Sequence, residues 1–258
     1  MTVRPIPPAL SDIVAARRAA FAGRSTAPAA DLQPAAGRFL PALAADGVAL
    51  VAEIKPRSPS EGVLQAAPDL TRLLPVYEAY AAAISVLTEP DYFGGGCELL
   101  AEVARRSPRP ALCKDFILHP AQIHDARRAG AEAVLLIVKI LDDAQLADLH
   151  AETRRWNMTP VVEAQTEAEL ERALRVSPAV ILINNRNLET FEISFDTTKR
   201  LAPRVPSGIV TITASGIHRR ADVEMLLPYC TRFLVGTSLM RAADLAAAFA
   251  DLTGRQRP

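Results

Sequence analysis

The chain has 258 residues, half of them hydrophobic, with 29 basic and 29 acidic side chains and a formal net charge of zero. This composition is typical of a folded globular protein and excludes a disordered or fibrous chain. The balanced charge also argues against a nucleic-acid or membrane-surface partner, because both are bound through an excess of positive charge. We therefore expect a small molecule as the partner.

The amino-terminal region has no apolar run long enough for a signal peptide, and no stretch reaches the roughly 20 apolar residues that a membrane-spanning helix needs. The three cysteines, Cys97, Cys113 and Cys230, form neither an even disulfide set nor a metal-binding spacing. The four histidines lie far apart along the sequence and have no ligand spacing. We therefore expect a cytoplasmic protein without a metal site.

Residues 1–48 are rich in Ala and Pro and contain a helical pattern near 9–22. They precede the first strand-like segment, so we expect them to form an N-terminal arm that covers one end of the folded unit. Residues 49–258 contain no linker that would mark a second domain. We expect a single domain overall, and no fusion to a further enzyme because the chain ends soon after the last predicted helix.

Eight short apolar runs, rich in β-branched residues, recur along residues 49–258. They are continuous rather than alternating, which is typical of parallel strands buried on both faces. Helical patterns with apolar residues three and four apart separate them. One helix begins at a capping-box pair, Thr166 with Glu169, and Gly130 ends another. The predicted strands are residues 49–54, 82–89, 110–116, 132–138, 159–164, 179–185, 208–215 and 232–237.

Eight strand–helix units in about 250 residues predict an α/β protein, a (β/α)8 TIM barrel with an N-terminal helical extension. A doubly wound open sheet more often has about five or six strands. The active site of such a barrel is formed at the C-terminal ends of its strands and in the loops that follow. The candidate residues there are Glu53, Lys55, Ser58, Ser60, Thr88, Glu89, Lys114, Asp115, Lys139, Glu163, Asn184, Asn185, Arg186, Ser215, Gly216, Gly236, Thr237 and Ser238.

Two lysines and two glutamates, Lys55, Lys114, Glu53 and Glu163, are expected to share the mouth of the barrel. Opposite charges at close range favour the ionised forms and burial disfavours them, so their pKa values should be perturbed. A lysine held in this way can act as a general acid and a glutamate as a base. For any one of these residues alone, an ordinary salt bridge at a strand end is the alternative interpretation.

Two glycine-containing turns follow the seventh and eighth strands, Ser215-Gly216 and Gly236-Thr237-Ser238. The corresponding loops of many barrels bind a phosphate through backbone N–H groups. A Gly-Thr-Ser sequence alone is more often a simple turn, but the pair of turns predicts a phosphorylated substrate.

The segment after the second strand is rich in glycine and contains Tyr92 and Phe93. These side chains either close an aromatic face over a bound ring or anchor a surface loop. The composition of the segment does not distinguish the two.

Six longer segments occur in a fixed order between about residue 40 and residue 248. They are VAEIKPRSPSEG, SVLTEPDYFGG, CKDFILHPAQIHDARRAGAEAVLLIVKIL, VVEAQTEAELERAL, LINNRNLETFEISFDTT and FLVGTSLMRA. In order and spacing they resemble the indole-3-glycerol phosphate synthase family, a barrel enzyme of tryptophan biosynthesis.

The resemblance implies a carboxy-lyase that converts 1-(2-carboxyphenylamino)-1-deoxyribulose 5-phosphate to indole-3-glycerol phosphate by ring closure, decarboxylation and dehydration. It implies no cofactor and no metal. We expect a small phosphorylated substrate as the partner, and a monomer or weak homodimer.

The resemblance also implies catalytic roles. Lys114, in the KDF motif, would be the general acid on the ketone oxygen, and Glu163 would remove the later proton. Lys55 would stabilise developing charge and help the hydroxyl group to leave. Glu53 would hold the lysines in position, and Asn184 would bind the reacting oxygen or a substrate hydroxyl.

Other residues would bind the substrate. Arg186 is expected to bind the carboxylate on the aromatic ring, and Ser58 and Phe93 to line the side of the cavity that takes the ring. The phosphate would be held by Ser215, Gly216, Gly236 and Thr237.

The chain departs from the family pattern at two positions. The family usually has Ser-Glu-Ser-Gly-Ile after the seventh strand, whereas this chain has Ala214 in place of the glutamate. The other departure is Leu182, where the family has a smaller residue. The first leaves three hypotheses open: a working synthase, a specialised paralogue for a related phosphorylated substrate, and a catalytically weak phosphosugar-binding barrel.

Overall fold

A computed structural model of the protein describes residues 10–44 and 46–254. Eight parallel strands form a closed barrel in which each strand pairs with the next, and the last pairs with the first. The predicted (β/α)8 barrel is therefore confirmed. The strands are β1 Ala49–Ile54, β2 Ala83–Leu87, β3 Ala111–Lys114, β4 Ala133–Ile137, β5 Thr159–Ala164, β6 Val180–Asn184, β7 Val210–Ala214 and β8 Arg232–Val235.

The barrel strands have the continuous burial expected from their apolar sequences. Every residue of β1, β2, β4, β5 and β6 is buried, because helices cover the outer face and side chains fill the interior. Six strands start or end one or two residues inside their predicted bounds. At these ends the backbone departs from the extended conformation before the predicted bound. Ser215, for example, has a φ of 72°, which is outside the β region.

The helices alternate with the barrel strands and close the outer layer. Gly130 follows the helix Pro120–Arg128 with a φ of 93°, a left-handed conformation that suits glycine at a helix end. The helices are α1 Leu10–Phe21, α2 Phe39–Leu43, α3 Leu70–Tyr80, α4 Cys97–Arg106, α5 Pro120–Arg128, α6 Asp143–Arg155, α7 Glu167–Arg175, α8 Asp196–Leu201, α9 Arg220–Leu226, α10 Thr237–Arg241 and α11 Leu245–Thr253.

The predicted capping box of α7 is only half formed. The Thr166 hydroxyl accepts the N–H of Glu169 at 3.2 Å, as expected. The Glu169 carboxylate instead accepts the N–H of Gln165 at 2.7 Å, one residue before the cap. The Glu169 carboxylate therefore binds the backbone N–H of Gln165, directly after β5, instead of the N–H of Thr166 that a capping box would use.

The described part of the N-terminal arm runs from one end of the barrel to the other. Arg17 of α1 contacts Asp115, just after β3, at the end of the barrel where strands terminate. Arg38 binds Glu132, just before β4, at the opposite end. Residues 1–9 of the predicted arm lie outside the described residues. None of the described helices is long and apolar enough to cross a membrane.

Candidate active site

One cavity opens at the C-terminal ends of the barrel strands. All twelve residues predicted for catalysis or substrate binding line it. Most of them follow or end a parallel strand, so the closed sheet brings together side chains that are distant in sequence. They are Glu53, Lys55, Ser58, Phe93, Lys114, Glu163, Asn184, Arg186, Ser215, Gly216, Gly236 and Thr237.

A buried carboxylate holds two lysines at the centre of the cavity. Lys55 Nζ lies 3.0 Å from Glu53 Oε1, and Lys114 Nζ lies 3.4 Å from Glu53 Oε2. Burial by itself raises the pKa of Glu53, but the two ammonium groups outweigh it and lower the pKa to about 2. Glu53 is therefore ionised at neutral pH and orients both lysines.

The second carboxylate, Glu163, has a different environment. Its side chain is buried, and Asn184 Nδ2 donates a hydrogen bond to Oε1 at 3.1 Å. Burial raises the pKa of Glu163, and the opposing effects of Lys114 and Asn184 do not cancel it. A carboxylate with a raised pKa accepts a proton more readily than Glu53 does.

The orientation of the Asn184 amide is fixed by three partners. Its oxygen accepts hydrogen bonds from Ser215 Oγ at 2.8 Å and from the backbone N–H of Arg186 at 3.1 Å, while its NH2 group faces Glu163. Asn184 therefore links the carboxylate to the turn after β7.

The two glycine turns need glycine for steric reasons. Ser215 and Gly216 both have positive φ angles, 72° and 83°. A methyl group on Gly216 would lie 2.5 Å from Ile193 Cγ2, and one on Gly236 would lie 2.3 Å from Glu53 Oε1. Both turns therefore need glycine to fit against neighbouring side chains, and both line the cavity.

Aromatic side chains form another wall of the cavity. The rings of Phe93 and Phe116 lie 6.0 Å apart at their centroids. Phe116, Leu188 and Phe191 also line the cavity and were not predicted as site residues. Phe116 lies two residues after the end of β3, a position that the sequence could have indicated, whereas Leu188 and Phe191 come from the loop after β6.

The predicted carboxylate-binding residue, Arg186, lies beside this wall. Its Nη1 donates hydrogen bonds to Ser60 Oγ at 3.1 Å and to the Phe191 carbonyl at 3.4 Å. Ser58 Oγ is 3.2 Å from Ser60 Oγ. The guanidinium is thus held at the cavity by two loops.

Five candidate residues at strand ends do not line the cavity, because their side chains bind other parts of the protein. Lys139 lies 3.2 Å from Glu189, in an ion pair between two loops. The Glu89 carboxylate accepts backbone N–H groups from three residues of its own loop. The remaining three are Thr88, Asn185 and Ser238, which bind Asp115, Thr213 and Ile217 respectively.

Ala214 ends β7 and lines the cavity with its methyl group. It is buried and lies in register with Asn184 on one side and Leu234 on the other. Leu182 is fully buried in β6. Of the two departures noted in the sequence, the one at Ala214 therefore reaches the site.

Among the described residues, no group of three or more His, Cys, Asp and Glu side chains is arranged to hold a metal ion. Of the charged groups that line the cavity, Glu53 is paired with Lys55 and Lys114, whereas Glu163 and Arg186 are hydrogen-bonded to uncharged partners.

The chain is similar in sequence to several known proteins. A profile of the family "Indole-3-glycerol phosphate synthase" matches residues 10–252. Proteins of that name from Leptothrix cholodnii and Albidiferax ferrireducens are 43% and 44% identical to the chain, over 81% of it and over 81% and 80% of their own lengths. The "Tryptophan biosynthesis protein TrpCF" of Salmonella typhi is 39% identical over 84% of the chain. The chain spans about half the length of that relative, 48%.

Proposed function

The chain belongs to the indole-3-glycerol phosphate synthase family, and from this premise we propose that it converts 1-(2-carboxyphenylamino)-1-deoxyribulose 5-phosphate to indole-3-glycerol phosphate, carbon dioxide and water. One observation carries the proposal: buried Glu53 pairs with both Lys55 and Lys114 in the cavity that Glu163 also lines. This arrangement supplies an acid, a second cation and a base to one bound molecule.

The charge of the cavity suits such a substrate. Three cationic side chains, Lys55, Lys114 and Arg186, line it with the carboxylates Glu53 and Glu163. Asp115 lines it as well, but Arg17, which lies outside the lining, neutralises that carboxylate. The substrate carries a phosphate and a ring carboxylate, so an excess of positive charge favours its binding. We propose that the turns after β7 and β8 bind the phosphate and that Arg186 binds the carboxylate.

The first step is ring closure. The ring carbon that bears the carboxylate attacks the ketone carbon, and the carbonyl oxygen gains negative charge as the new bond forms. The ammonium group of Lys114 donates a proton to that oxygen, which gives a hydroxyl group. Holding the phosphate at one end and the ring against Phe93 and Phe116 brings the two carbons together.

Decarboxylation and dehydration complete the indole. The bond between the ring and its carboxylate breaks, carbon dioxide leaves, and the electron pair restores the aromatic ring. Lys55 then donates a proton to the departing hydroxyl group, which leaves as water. Glu163 removes the proton from the adjacent carbon, and its raised pKa suits it to accept that proton.

The test is steady-state turnover of the family substrate, followed by indole fluorescence. We expect Lys114→Met to lower kcat by about a hundredfold or more, because a positioned proton donor is lost. The matched control is Lys139→Met, which removes a lysine from a strand end whose side chain pairs with Glu189 instead of lining the cavity. Equal losses in the two variants, or substrate binding without turnover by the folded wild type, would refute the proposal.

Ala214 favours a second candidate, a related and larger phosphorylated substrate. Its methyl group lies between Asn184 and Leu234, where the family resemblance implies a glutamate. A methyl group leaves space for a bulkier substrate and makes the cavity less negative. We propose that the family reaction nevertheless takes place, since the other catalytic residues are all present.

Ala214→Glu separates the two candidates. If the family substrate is the natural one, the restored carboxylate should raise kcat or leave it unchanged. A fall in kcat/KM of about tenfold or more, as expected when an added charge disturbs a fitted site, would favour the second candidate. The control is Ala214→Gln, which adds a side chain of the same size at the same position without the charge.

A further inference from the structure

Helix α1 of the N-terminal arm contacts the residue next to the proposed general acid. Arg17 Nη2 lies 2.6 Å from Asp115 Oδ2, and the two side chains are only 9% and 4% exposed. Asp115 directly follows Lys114, the last residue of β3. Because both charges are buried, removing either one would leave the other without a counter-charge in the interior.

Asp115 in turn fixes the backbone on either side of it. Its Oδ2 also accepts the Thr88 hydroxyl at 3.0 Å, and its Oδ1 accepts the N–H of Phe116 at 2.7 Å. The N–H of Thr88 donates to the Lys114 carbonyl at 3.1 Å. The carboxylate therefore joins α1, the end of β2 and the start of the loop after β3 around Lys114.

This network depends on an ionised carboxylate. Burial raises the pKa of Asp115, and the nearby carboxylate of Glu89 raises it further. Arg17 is the strongest of the groups that lower this pKa, followed by the Phe116 N–H and the Thr88 hydroxyl. A protonated Asp115 would donate one hydrogen bond where it now accepts, so its contacts would rearrange.

We propose that Arg17 is a positioning residue for catalysis: by holding the Asp115 carboxylate in place, it fixes Lys114 against the substrate ketone and Phe116 against the ring. Arg17 is not among the residues that line the cavity, so it acts through Asp115. The inference rests on the proposed function, because it assigns a role in the same reaction.

The test variant is Arg17→Met, which keeps an unbranched side chain and removes the charge. We expect kcat to fall by about tenfold to a hundredfold, with KM within about twofold of the wild type, because a small displacement of a catalytic group lowers the rate far more than the binding. A purely structural role would lower the melting temperature and leave kcat of the folded fraction unchanged.

The matched control is Arg24→Met. Arg24 belongs to the same arm and binds Asp125 of α5 through two hydrogen bonds, at 3.0 and 3.1 Å, but both side chains are partly exposed. We expect its kcat to stay within about twofold of the wild type, since exposed pairs contribute little.

A double variant tests the inference even if Arg17→Met alone misfolds. Arg17→Met combined with Asp115→Asn buries no unpaired charge and should fold. We expect its kcat to equal that of Asp115→Asn alone, with both about tenfold or more below the wild type, because the two residues act as one unit. Wild-type kcat in Arg17→Met or in the double variant would overturn the inference. A folded wild type that does not turn over the substrate would instead refute the proposed function.

Discussion

Replacing Glu53 by glutamine should remove a pH-dependent part of the stability as well as the charge that orients both lysines. The pKa of Glu53 is about 2 in the folded chain, against an ordinary value of 4.5, because Lys55 and Lys114 outweigh the effect of burial. A carboxyl group with this difference contributes about 3 kcal/mol to the free energy of unfolding at neutral pH.

The sign follows from the lowered pKa. The contribution is fully present above the unfolded value, and it is lost as the pH falls from about 4.5 towards 2. About 2 kcal/mol of it should be gone at pH 3. Glu53→Gln lacks this group, so its free energy of unfolding should fall about 2 kcal/mol less than that of the wild type between pH 6 and pH 3.

Urea unfolding of the two proteins at pH 6, 4.5 and 3 measures this difference, and steady-state kinetics at pH 7.5 measures the effect on activity. We expect kcat of Glu53→Gln to fall by about a hundredfold, because the lysines lose their common partner. The control is Glu132→Gln, which changes a buried carboxylate at the other end of the barrel, paired with Arg38. Parallel stability curves for Glu53→Gln and the wild type, or a kcat near that of Glu132→Gln, would refute the reasoning.

Two further predictions concern the same cavity. Asn184→Ala removes a hydrogen bond that lowers the pKa of Glu163, so that pKa should rise further and the acidic limb of the kcat/KM profile should move to higher pH. We also expect kcat/KM at pH 8 to fall by about tenfold, because a contact to a charged group is lost. An acidic limb at the wild-type position would contradict this prediction. Gly236→Ala places a methyl group 2.3 Å from Glu53 Oε1, so Glu53 or the turn must shift. We expect kcat/KM to fall by about a hundredfold in a folded protein, whereas wild-type kinetics would show that the turn adapts without cost.

Much of the fold could be predicted from the sequence because the barrel strands are buried on both faces. Continuous apolar runs such as Ala49–Ile54 and Thr159–Ala164 follow directly from that burial, and both strands have their predicted bounds. The site residues could be selected because parallel strands of a barrel all end at one rim. Chain order alone therefore places Glu53 and Glu163 at the same cavity.

The direction of an individual side chain could not be predicted in the same way. Both Lys114 and Lys139 come at the end of an apolar run. Lys114 is the last residue of β3, whereas Lys139 lies after β4 in a short 3₁₀ turn, Val138–Ile140, and pairs with Glu189. The local hydrogen bonding of the turn decides the outcome, and the apolar pattern does not encode it.

Contacts between distant parts of the chain also could not be predicted from the sequence. The pair of Arg17 and Asp115 joins residues 98 positions apart, and neither the helical pattern of the arm nor the KDF motif specifies the other partner. Phe191 reaches the cavity from a loop in which it adopts a φ of 61°, an unusual conformation for a bulky residue. Such positions are set by packing of the whole barrel.

The most direct test of the proposed reaction is the stoichiometry of products from 1-(2-carboxyphenylamino)-1-deoxyribulose 5-phosphate. Purified wild-type protein should release carbon dioxide and form indole-3-glycerol phosphate in equal amounts, and Lys114→Met should form neither at a comparable rate. Unchanged substrate after incubation with the folded wild type, or carbon dioxide released without the indole product, would contradict the account.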